Sequence, residues 1–356
     1  MQVKTPEKLG ESELPHLALF IAAYNEENVI QRKLENSLEL SYPMDKLQII
    51  VGSDGSNDQT NEIVQSYAEK YPHIQLLKFP RMGKSNIINA AIKTIDSELV
   101  VFSDANTIYE KDSLRIIARY LVPEGVGCVC GRLIYHNPGN IMSGVGESFY
   151  WNYETKLKIM ESQVGYVAGA NGAIYAIKRP LFSELPQGTI NDDFYISMKV
   201  VEKGYKSLYA EDAKAYEEVA PSMGGEFRRH IRDGAGHYLV IPHLLKLVNP
   251  LIGMRSFIFW SHRLLRWMAP FILLLMFVAN IYLASVNAFY QLLFVFHVAF
   301  YILAFSGLIM SRFKKVPFVL YAPFYFCNLN LALFLGFLKA ISGRQKVTWN
   351  STERSA

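Results

Sequence analysis

The sequence predicts an α/β domain built on a mostly parallel sheet, followed by helices that cross a membrane. Short apolar runs alternate with helically spaced segments through the first 120 residues, and this alternation is typical of a parallel sheet covered by helices. Residues 267–311 contain no Asp, Glu, Lys or Arg, and residues 316–338 contain none either. Because about 20 apolar residues cross a bilayer, the first stretch is long enough for two spans and the second for one.

Apolar patterning predicts the elements of the domain in order. Residues 17–24 (LALFIAAY) form a short apolar run that ends in polar residues, as a buried parallel strand would. Further strands are predicted at 47–53, 74–79, 99–103, 126–135, 165–170, 173–177 and 207–209. Helices are predicted at 26–40, 58–70, 83–93, 147–162, 193–203 and 222–239. Since ligands of such sheets bind beyond the carboxyl ends of the strands, polar residues at those ends are site candidates.

Charge and hydropathy divide the chain into successive segments. These are a polar N-terminal segment, the α/β domain, an amphipathic helix, a membrane region and a tail, at 1–15, 16–245, 250–267, 268–341 and 342–356. The predicted spans lie at 268–286, 288–310 and 317–341. The amphipathic helix is predicted to lie in the membrane interface, with Arg255, His262 and Arg266 on its polar face and the two arginines toward lipid phosphates. An ordinary surface helix is the alternative.

Charged residues predict the orientation of the chain. The first 16 residues contain no apolar run of signal-peptide type, so we expect the α/β domain to lie in the cytoplasm and the chain to be a multi-pass protein of the cell membrane. Arg312, Lys314 and Lys315, between the second and third spans, agree with this orientation. Three full crossings place the tail outside, whereas a third span interrupted by Pro323 could re-enter and keep the tail inside.

The composition excludes other classes of protein. The net charge of +4 is too small to indicate nucleic-acid binding. Cys128, Cys130 and Cys327 suggest neither a disulfide framework nor a zinc site.

Two acidic motifs follow predicted strands. Asp54, in VGSDGSNDQT, can accept hydrogen bonds from a nucleobase or a ribose, or belong to a plain turn before a helix. Asp104 and Asn106, two positions apart, can place oxygen atoms on one Mg²⁺ or Mn²⁺, or belong to a turn.

Two basic motifs could bind phosphate. RMGKSNIINAAI (81–92) resembles a phosphate-binding P-loop, but Lys78 occupies the position of the first glycine and excludes that interpretation. Arg81 and Lys84 could still bind phosphate at a helix N-terminus, or form a solvated turn. The run that contains Arg229 and Arg232 could bind diphosphate or acidic lipid, or be a solvated helix face.

A third acidic motif opens the predicted helix at 193–203. Asp192 and Asp193 are adjacent carboxylates, an arrangement that is unfavourable without a cation or a catalytic use. One of them could act as the general base for an acceptor hydroxyl. The alternative is a helix N-cap with an additional acidic residue.

The order of the motifs resembles that of the family 2 inverting glycosyltransferases, which have an A-type nucleotide-sugar fold of Rossmann type. The resemblance covers residues 17–267. The matching pieces, in order, are AAYNEENVI, VGSDGSNDQT, RMGKSNIINAA, VVFSDANTIY, GCVCGRL, GANGAIYAIKR, NDDFYISMKVVEKGY, RRHIRD and SHRLLRW.

The resemblance implies roles for individual residues. Nucleotide-sugar contacts would come from Tyr24, Glu26, Asp54, Lys84 and Asp104. Asp193 would be the catalytic base, and Asp104 and Asn106 would hold Mg²⁺ or Mn²⁺. The acceptor and the diphosphate would be bound by Gly169, Asn171, Asp192, Arg229 and Arg232.

Two departures from the family pattern refine the expected function. Asn106 stands where the family often has Asp, which weakens metal binding there. Processive members carry Gln-x-x-Arg-Trp, where this chain has Arg229 through Asp233 and only Arg232 matches. We therefore expect transfer of a single sugar from a nucleotide-diphosphate donor to a lipid-linked saccharide acceptor, in cell-surface polysaccharide or glycolipid synthesis. The alternatives are a processive polysaccharide synthase, a polyprenyl-phosphate glycosyltransferase and a nucleotide-binding membrane scaffold.

Overall fold

The computed structural model describes residues 9–136, 142–218, 223–311 and 316–343. Most of the predicted tail and part of the predicted N-terminal segment lie outside the described residues. So do the orienting residues Arg312, Lys314 and Lys315.

Strands and helices alternate through the first part of the chain. The elements are β1 (Leu17–Ala23), α1 (Ile30–Leu38), β2 (Leu47–Asp54), α2 (Thr60–Lys70), β3 (Ile74–Phe79), α3 (Lys84–Ala91), β4 (Leu99–Asp104), β5 (Ile108–Tyr109) and α4 (Ser113–Leu121). The second part of the domain contains β6 (Val126–His136), α5 (Met142–Val164), β7 (Tyr175–Lys178), α6 (Asp192–Glu202), β8 (Lys206–Glu218) and α7 (Met223–Val240). The remaining helices are α8 (Leu245–Val248), α9 (Met254–Ile258), α10 (Leu265–Leu283), α11 (Ala288–Met310) and α12 (Phe318–Ile341).

The strands form one mixed sheet in the order β3-β2-β1-β4-β7-β6-β8-β5. The neighbours β3, β2, β1 and β4 are all parallel. Beyond β4, the pairs that involve β7 are antiparallel, and β6 pairs with β8 in parallel. The predicted sheet, mixed but mostly parallel, is confirmed.

Helices cover both faces of the sheet. Alternate residues of β1 point to opposite faces: Leu19 packs in the cluster that contains α1, α2 and α4, whereas Phe20 packs in the cluster that contains α3 and α6. Because both faces are covered, the whole of β1 is buried, which explains its unbroken apolar sequence. Burying a side chain of this size stabilises the fold by about 1.5–3 kcal/mol.

One predicted strand was wrong, one was predicted too short, and two elements were not predicted. Residues 165–170 form no strand beyond an isolated bridge at Tyr166, because Gly165 and Gly169 adopt φ of +93° and +94° and break the extended run. The strand predicted at 207–209 extends from Lys206 to Glu218. Helix α4 and the short strand β5 were not predicted.

Among the described residues, three helices are long and apolar enough to cross a membrane: Met254–Leu283, Ala288–Met310 and Phe318–Ile341. They contain most of each predicted span. Pro323 lies inside the third helix, which nevertheless has 24 residues and is therefore about 36 Å long. Its length favours crossing over re-entry, since the hydrocarbon core is about 30 Å thick.

The segment predicted as a separate interfacial helix continues into the first membrane helix. A π-helical turn at Phe259–Leu264 joins α9 to α10 without a break. The expectation that its cationic side chains meet lipid phosphates was wrong. His262 and Arg266 bind Glu154 of α5, and Arg255 donates to the Val201 carbonyl, because this side of the helix packs against the α/β domain.

The helix predicted to be basic, α7, packs against the third membrane helix. A Cβ atom on Gly336 would lie 2.7 Å from the Ala235 nitrogen, so the glycine allows the two backbones to approach closely. The Tyr238 hydroxyl also donates to the Trp267 carbonyl at 2.6 Å. The α/β domain is thus attached to two membrane helices through α7.

Candidate active site

The carboxyl ends of β1, β2 and β4 lie side by side at one edge of the sheet. In the parallel register, Ala23 is opposite Ser53, and Ala22 is opposite Asp104. Asp54 ends β2 and Asp104 ends β4. The topology therefore brings these two acidic residues to the same edge, as predicted, with β1 between them.

Asp54 organises the turn that precedes α3. Its side chain is fully buried, and it accepts hydrogen bonds from the backbone nitrogens of Met82 at 2.7 Å and Gly83 at 2.9 Å. Arg81 also forms an ion pair with Asp54. Both carboxylate oxygens thus bind the turn, and the nucleobase contact that the resemblance implies for Asp54 stays a prediction.

Tyr24 and Glu26 follow β1 on the same side of the site. The Arg81 guanidinium carbon lies 3.3 Å from the centroid of the Tyr24 ring, a cation–π contact. Glu26 is buried, and its backbone nitrogen donates to Thr60 Oγ1 at 2.8 Å. These contacts place an aromatic ring and a guanidinium next to the Asp54 turn.

Lys84, the first residue of α3, reaches into the acidic group. Its Nζ lies 2.9 Å from Asp104 Oδ1 and 3.5 Å from Asp192 Oδ2. Burial by itself would lower the pKa of Lys84, but Asp104 and Asp192 raise it above its usual value. Burial would likewise raise the pKa of Asp104, but Lys84 holds it below its usual value. Lys84 is thus a charged component of the site, and a solvated turn is excluded.

Asp193 meets Asp104 across Gly172. A Cβ atom on Gly172 would lie 3.5 Å from Asp193 Oδ2 and 3.6 Å from Asp104 Oδ2. The Phe194 nitrogen donates to Asp193 Oδ1 at 2.7 Å and orients the carboxylate. Burial and the neighbouring Asp192 raise the pKa of Asp193 to about 6.

Asp192 lies deeper than Asp193 in the same group. It is buried, and burial raises its pKa, although Lys84 opposes the shift. Asn191 precedes the helix, but its side chain makes no capping bond and donates instead to the Asp233 carbonyl at 3.0 Å. Helix α6 therefore does not begin with a side-chain N-cap, which was the alternative interpretation of this motif. We call Lys84, Asp104, Asp192 and Asp193 the carboxylate cluster.

The turn at 168–172 forms the side of the site opposite α3. Gly169 is required there, because a Cβ atom would lie 2.5 Å from the Phe194 ring and φ is +94°. The Ala170 nitrogen donates to Ser197 Oγ at 2.9 Å, and Asn171 Oδ1 accepts from the Ala173 nitrogen at 3.1 Å. Asn171 thus shapes the turn through its oxygen, and its acceptor contact stays a prediction.

Asp104 and Asn106 are the predicted ligands of Mg²⁺ or Mn²⁺. Asn106 donates its amide nitrogen to Glu217 Oε1 at 2.8 Å, which leaves the amide oxygen as the candidate ligand atom. No group of three His, Cys, Asp or Glu side chains among the described residues could hold a metal ion. Mg²⁺ commonly binds through one or two protein oxygens together with substrate phosphates, and Asp104 with Asn106 fits that mode.

Arg232 of the basic helix α7 adds to the positive electrostatic potential at Asp104. Arg232 lies 3.4 Å from Asp233 and helps to lower the pKa of Asp104. Arg229, one turn earlier, is half-buried on the same helix. Helix α7 lies beside the start of α6, where the Asn191 side chain donates to the Asp233 carbonyl and the Phe194 ring packs against His237. The diphosphate contacts that the resemblance implies for Arg229 and Arg232 stay predictions.

Two buried basic residues that support the site were not predicted from the sequence. Lys33 is buried, donates to the Thr107 carbonyl at 2.7 Å and adds positive field to Asp104; burial lowers its pKa to about 7. Arg263 donates to the Ala168 carbonyl at 2.6 Å. Neither carries a local signal, although Arg263 lies inside the SHRLLRW motif.

Comparisons with known proteins give the family. A sequence profile described as "Glycosyltransferase like family 2" matches residues 15–236, more than half of the chain. The chain belongs to this family.

The glycosyltransferase is also similar in sequence to bacterial proteins. It is 26% identical over 237 residues to the poly-beta-1,6-N-acetyl-D-glucosamine synthase of Staphylococcus aureus (strain MSSA476), across 65% of this chain and 57% of that one. It is 27% identical over 242 residues to the probable glycosyltransferase YdaM of Bacillus subtilis (strain 168), across 64% of this chain and 57% of that one. The glycosyltransferase therefore spans less than two thirds of the length of these relatives.

A solved structure shares the fold. The mannosyltransferase PcManGT from Pyrobaculum calidifontis, in complex with GDP-Man and Mn²⁺, superimposes with a TM-score of 0.67 at 20% identity. The match covers 97% of this chain and 91% of that chain. The predicted A-type glycosyltransferase fold followed by three apolar helices is confirmed.

Proposed function

We propose that this membrane-linked glycosyltransferase transfers a single sugar from a nucleoside-diphosphate donor to a lipid-linked saccharide acceptor, with inversion at the anomeric carbon. The proposal depends on the position of Asp193 and Asp104 beside Gly172. An oxygen of each carboxylate lies within 3.6 Å of the point that a Cβ atom on Gly172 would occupy. A general base and a phosphate-side carboxylate are thus close enough to act on the two ends of one glycosidic bond.

Asp193 acts as the general base. It takes the proton from the acceptor hydroxyl as the hydroxyl oxygen attacks the anomeric carbon, and the bond from that carbon to the diphosphate oxygen breaks on the opposite face. A pKa raised to about 6 suits this role, because the carboxylate is mostly ionised at neutral pH yet more basic than an exposed aspartate. The Phe194 nitrogen keeps one oxygen in place, which leaves the other toward Gly172.

Positive groups stabilise the leaving diphosphate. Lys84 lies inside the carboxylate cluster, and Arg232 adds to the field at Asp104. Charges held in place before the reaction stabilise developing negative charge without reorganisation. Mg²⁺ or Mn²⁺, when bound by Asp104 and Asn106, would supply further positive charge to the diphosphate.

The nucleotide lies at the ends of β1 and β2 in this proposal. Tyr24 provides a ring that can contact a base, and Glu26 and the Asp54 turn lie beside it. Ligands of parallel sheets bind at this edge. The acceptor enters from the side of Gly169 and Asn171, where the turn at 168–172 faces Asp193.

The membrane helices support a lipid-linked acceptor and a site on the cytoplasmic side of the cell membrane. Helix α7, which carries Arg229 and Arg232, packs on α12, so the site lies beside the helices that cross the membrane. Basic residues between the second and third spans favour the cytoplasmic side for the α/β domain of this cell-membrane protein. A lipid-linked saccharide would thus present its hydroxyl on the same side as a cytoplasmic nucleotide sugar.

A processive polysaccharide synthase is the second candidate, because the relative from Staphylococcus aureus is named as one. Asp233 stands where processive members have Trp, and it forms an ion pair with Arg232. An acidic side chain cannot provide the aromatic contact that a growing polymer would use. Products of one added sugar on a gel support single transfer, and long products support the synthase.

The test uses the full chain in detergent or lipid nanodiscs. UDP- and GDP-linked hexoses and N-acetylhexosamines are screened by thermal shift with Mg²⁺ or Mn²⁺, and transfer to lipid-linked saccharides is then measured. One donor should stabilise the protein and be consumed with acceptor, and Asp193→Asn should bind that donor without transfer. Stabilisation by no donor, or binding without turnover in the parent protein, would favour a nucleotide-binding scaffold.

A further inference from the structure

The first membrane helix carries buried charged side chains that the proposed mechanism does not use. His262, Arg263 and Arg266 meet Glu154 and Glu161 of α5, and we call these five residues the membrane-helix cluster. The Glu154 side chain is 3% exposed and lies 2.8 Å from Arg263 Nη2 and 3.1 Å from Arg266 Nη1. Burial would raise the pKa of Glu154, but Arg263, His262 and Arg266 hold it well below its usual value.

Anchoring alone does not explain this cluster. Buried ion pairs are costly to desolvate, and apolar side chains of the same volume often give equal or greater stability. Breaking one partner, however, leaves an uncompensated charge. A buried ion pair therefore holds its two side chains in a fixed position, and any backbone group that is bonded to those side chains is held with them.

The membrane-helix cluster binds both backbone polar groups of Ala168, the first residue of the turn at 168–172. The Ala168 nitrogen donates to Glu161 Oε2 at 3.0 Å, and the Ala168 carbonyl accepts from Arg263 Nε at 2.6 Å. The same short turn ends at Gly172, which faces Asp193 and Asp104. The position of the turn is thus set from the membrane helix.

A second contact leads from Arg263 to the catalytic base. The Arg263 guanidinium carbon lies 5.8 Å from the centroid of the Phe194 ring, which also packs against Trp267 with centroids 5.4 Å apart. The backbone nitrogen of Phe194 donates to Asp193 Oδ1. The ring of Phe194 leaves no room for a side chain at Gly169. Arg263 therefore contacts both the turn and the residue that orients Asp193.

We propose that Arg263 is a positioning residue that fixes the turn at 168–172 and Asp193 relative to the first membrane helix, so that a membrane-embedded acceptor presents its hydroxyl to the base at a set depth. This inference rests on the proposed function of the same site. Arg263 contacts Glu154, the Ala168 carbonyl and the Phe194 ring, none of which is assigned to the donor nucleotide in this proposal. Its loss should therefore affect acceptor chemistry and leave donor binding intact.

The test is Arg263→Lys, measured with the full chain in nanodiscs. Lysine keeps the positive charge beside Glu154 but cannot bind Glu154 and the Ala168 carbonyl at once through a planar fork. We expect kcat with a lipid-linked acceptor to fall about 10- to 100-fold, since a displacement of about 1 Å has effects of that size. The donor KM and the thermal shift with donor should not change.

Arg255→Lys is the matched control. Arg255 lies on the same helix and also donates to a backbone carbonyl, that of Val201 at 3.3 Å, but it does not contact the turn. This variant should match the parent protein in kcat and in both KM values. Equal losses in the two variants would show a general effect of the membrane helix and would overturn the assignment to Arg263.

Other outcomes are also decisive. Parent-like kcat in Arg263→Lys overturns the inference, and so does a parallel loss of donor affinity and melting temperature, which indicates a structural role only. Should Arg263→Lys fail to fold, Glu161→Ala removes the acceptor of the Ala168 nitrogen and must lower kcat at unchanged donor KM. Absence of transfer in the parent protein with every donor is a separate result, which rejects the proposed function itself.

Discussion

The Asp54 carboxylate accepts a hydrogen bond from the Gly83 nitrogen at 2.9 Å, and the next residue, Lys84, reaches Asp104. The turn before α3 and the Lys84 side chain thus link the end of β2 to the end of β4. Asp54 acts at this point as the support of the loop, whatever further contact it makes with a nucleotide. The two acidic residues are linked through this loop although β1 lies between them in the sheet.

Asp54→Asn should weaken donor binding through this loop. The amide has one acceptor oxygen in place of two and no charge for Arg81, and hydrogen bonds to charged groups contribute about 1.5–3 kcal/mol each. We expect a lower melting temperature and a raised donor KM. Asp45→Asn, at an exposed position, is the control, and an unchanged donor KM in Asp54→Asn would contradict the supporting role.

Asp193→Asn should abolish most transfer while the donor still binds. An amide cannot take the acceptor proton, and general-base catalysis contributes about 10²- to 10⁴-fold. We expect kcat to fall by that factor, with a parent-like thermal shift by donor. Near-full turnover in a correctly folded variant would mean that another group is the base.

The rate should depend on the ionisation of Asp193. Its pKa is raised to about 6 by burial and by Asp192. The base works only when deprotonated, so kcat/KM, which reports the free enzyme, should rise as pH increases through about 6 and level off above that value. A pH profile of kcat/KM checks this, and a profile without an acidic limb would argue against Asp193.

Gly169→Ala should lower kcat more than the same substitution at another glycine with a positive φ. A Cβ atom there would lie 2.5 Å from the Phe194 ring, so either the turn or the ring must move. Gly125→Ala is the matched control, because Gly125 also has a positive φ, +77°, but a Cβ atom would meet nothing within 4 Å. Both variants should lose some thermal stability, and only Gly169→Ala should lose kcat by about tenfold or more. Equal kcat in the two variants would show that the Phe194 contact does not matter.

Chelation should show that sugar transfer depends on a divalent metal ion. Treatment with EDTA should remove transfer, and Mg²⁺ or Mn²⁺ should restore it, because the oxygen atoms of Asp104 and Asn106 suit a hard cation. Asp104→Asn should raise the metal concentration needed for half-maximal activity. Full transfer after chelation would instead leave Lys84 and Arg232 as the sole stabilisers of the leaving group among the described residues.

Local sequence patterns predicted much of the site. The acidic and basic residues at strand ends could be found because a parallel sheet places the carboxyl ends of its strands at one edge. Lys84 was expected to contact the nucleotide sugar and Asp104 to contact it and hold a metal ion, and the structure brings these two side chains within 2.9 Å of each other. Residues 165–170 were assigned to a strand because apolar content was considered without the positive φ of Gly169.

The supports of the site could not be predicted in the same way. Lys33 and Arg263 each look like ordinary charged residues of a helix, and nothing nearby in sequence indicates their partners. Lys33 binds the Thr107 carbonyl, 74 residues away, and Arg263 binds the Ala168 carbonyl, 95 residues away. Partners that distant are selected by packing and not by spacing.

The amino-acid sequence by itself determined the class of fold, the order of the strands and helices that carry the site, and the three apolar spans. These features depend on periodicity and hydropathy, which are local properties of the chain. Only the tertiary structure decided that Asp193 meets Asp104 across Gly172 and that the cations of the first membrane helix turn toward Glu154 instead of lipid. Such choices depend on which surfaces pack together, because a buried charge must find its partner wherever the fold places one.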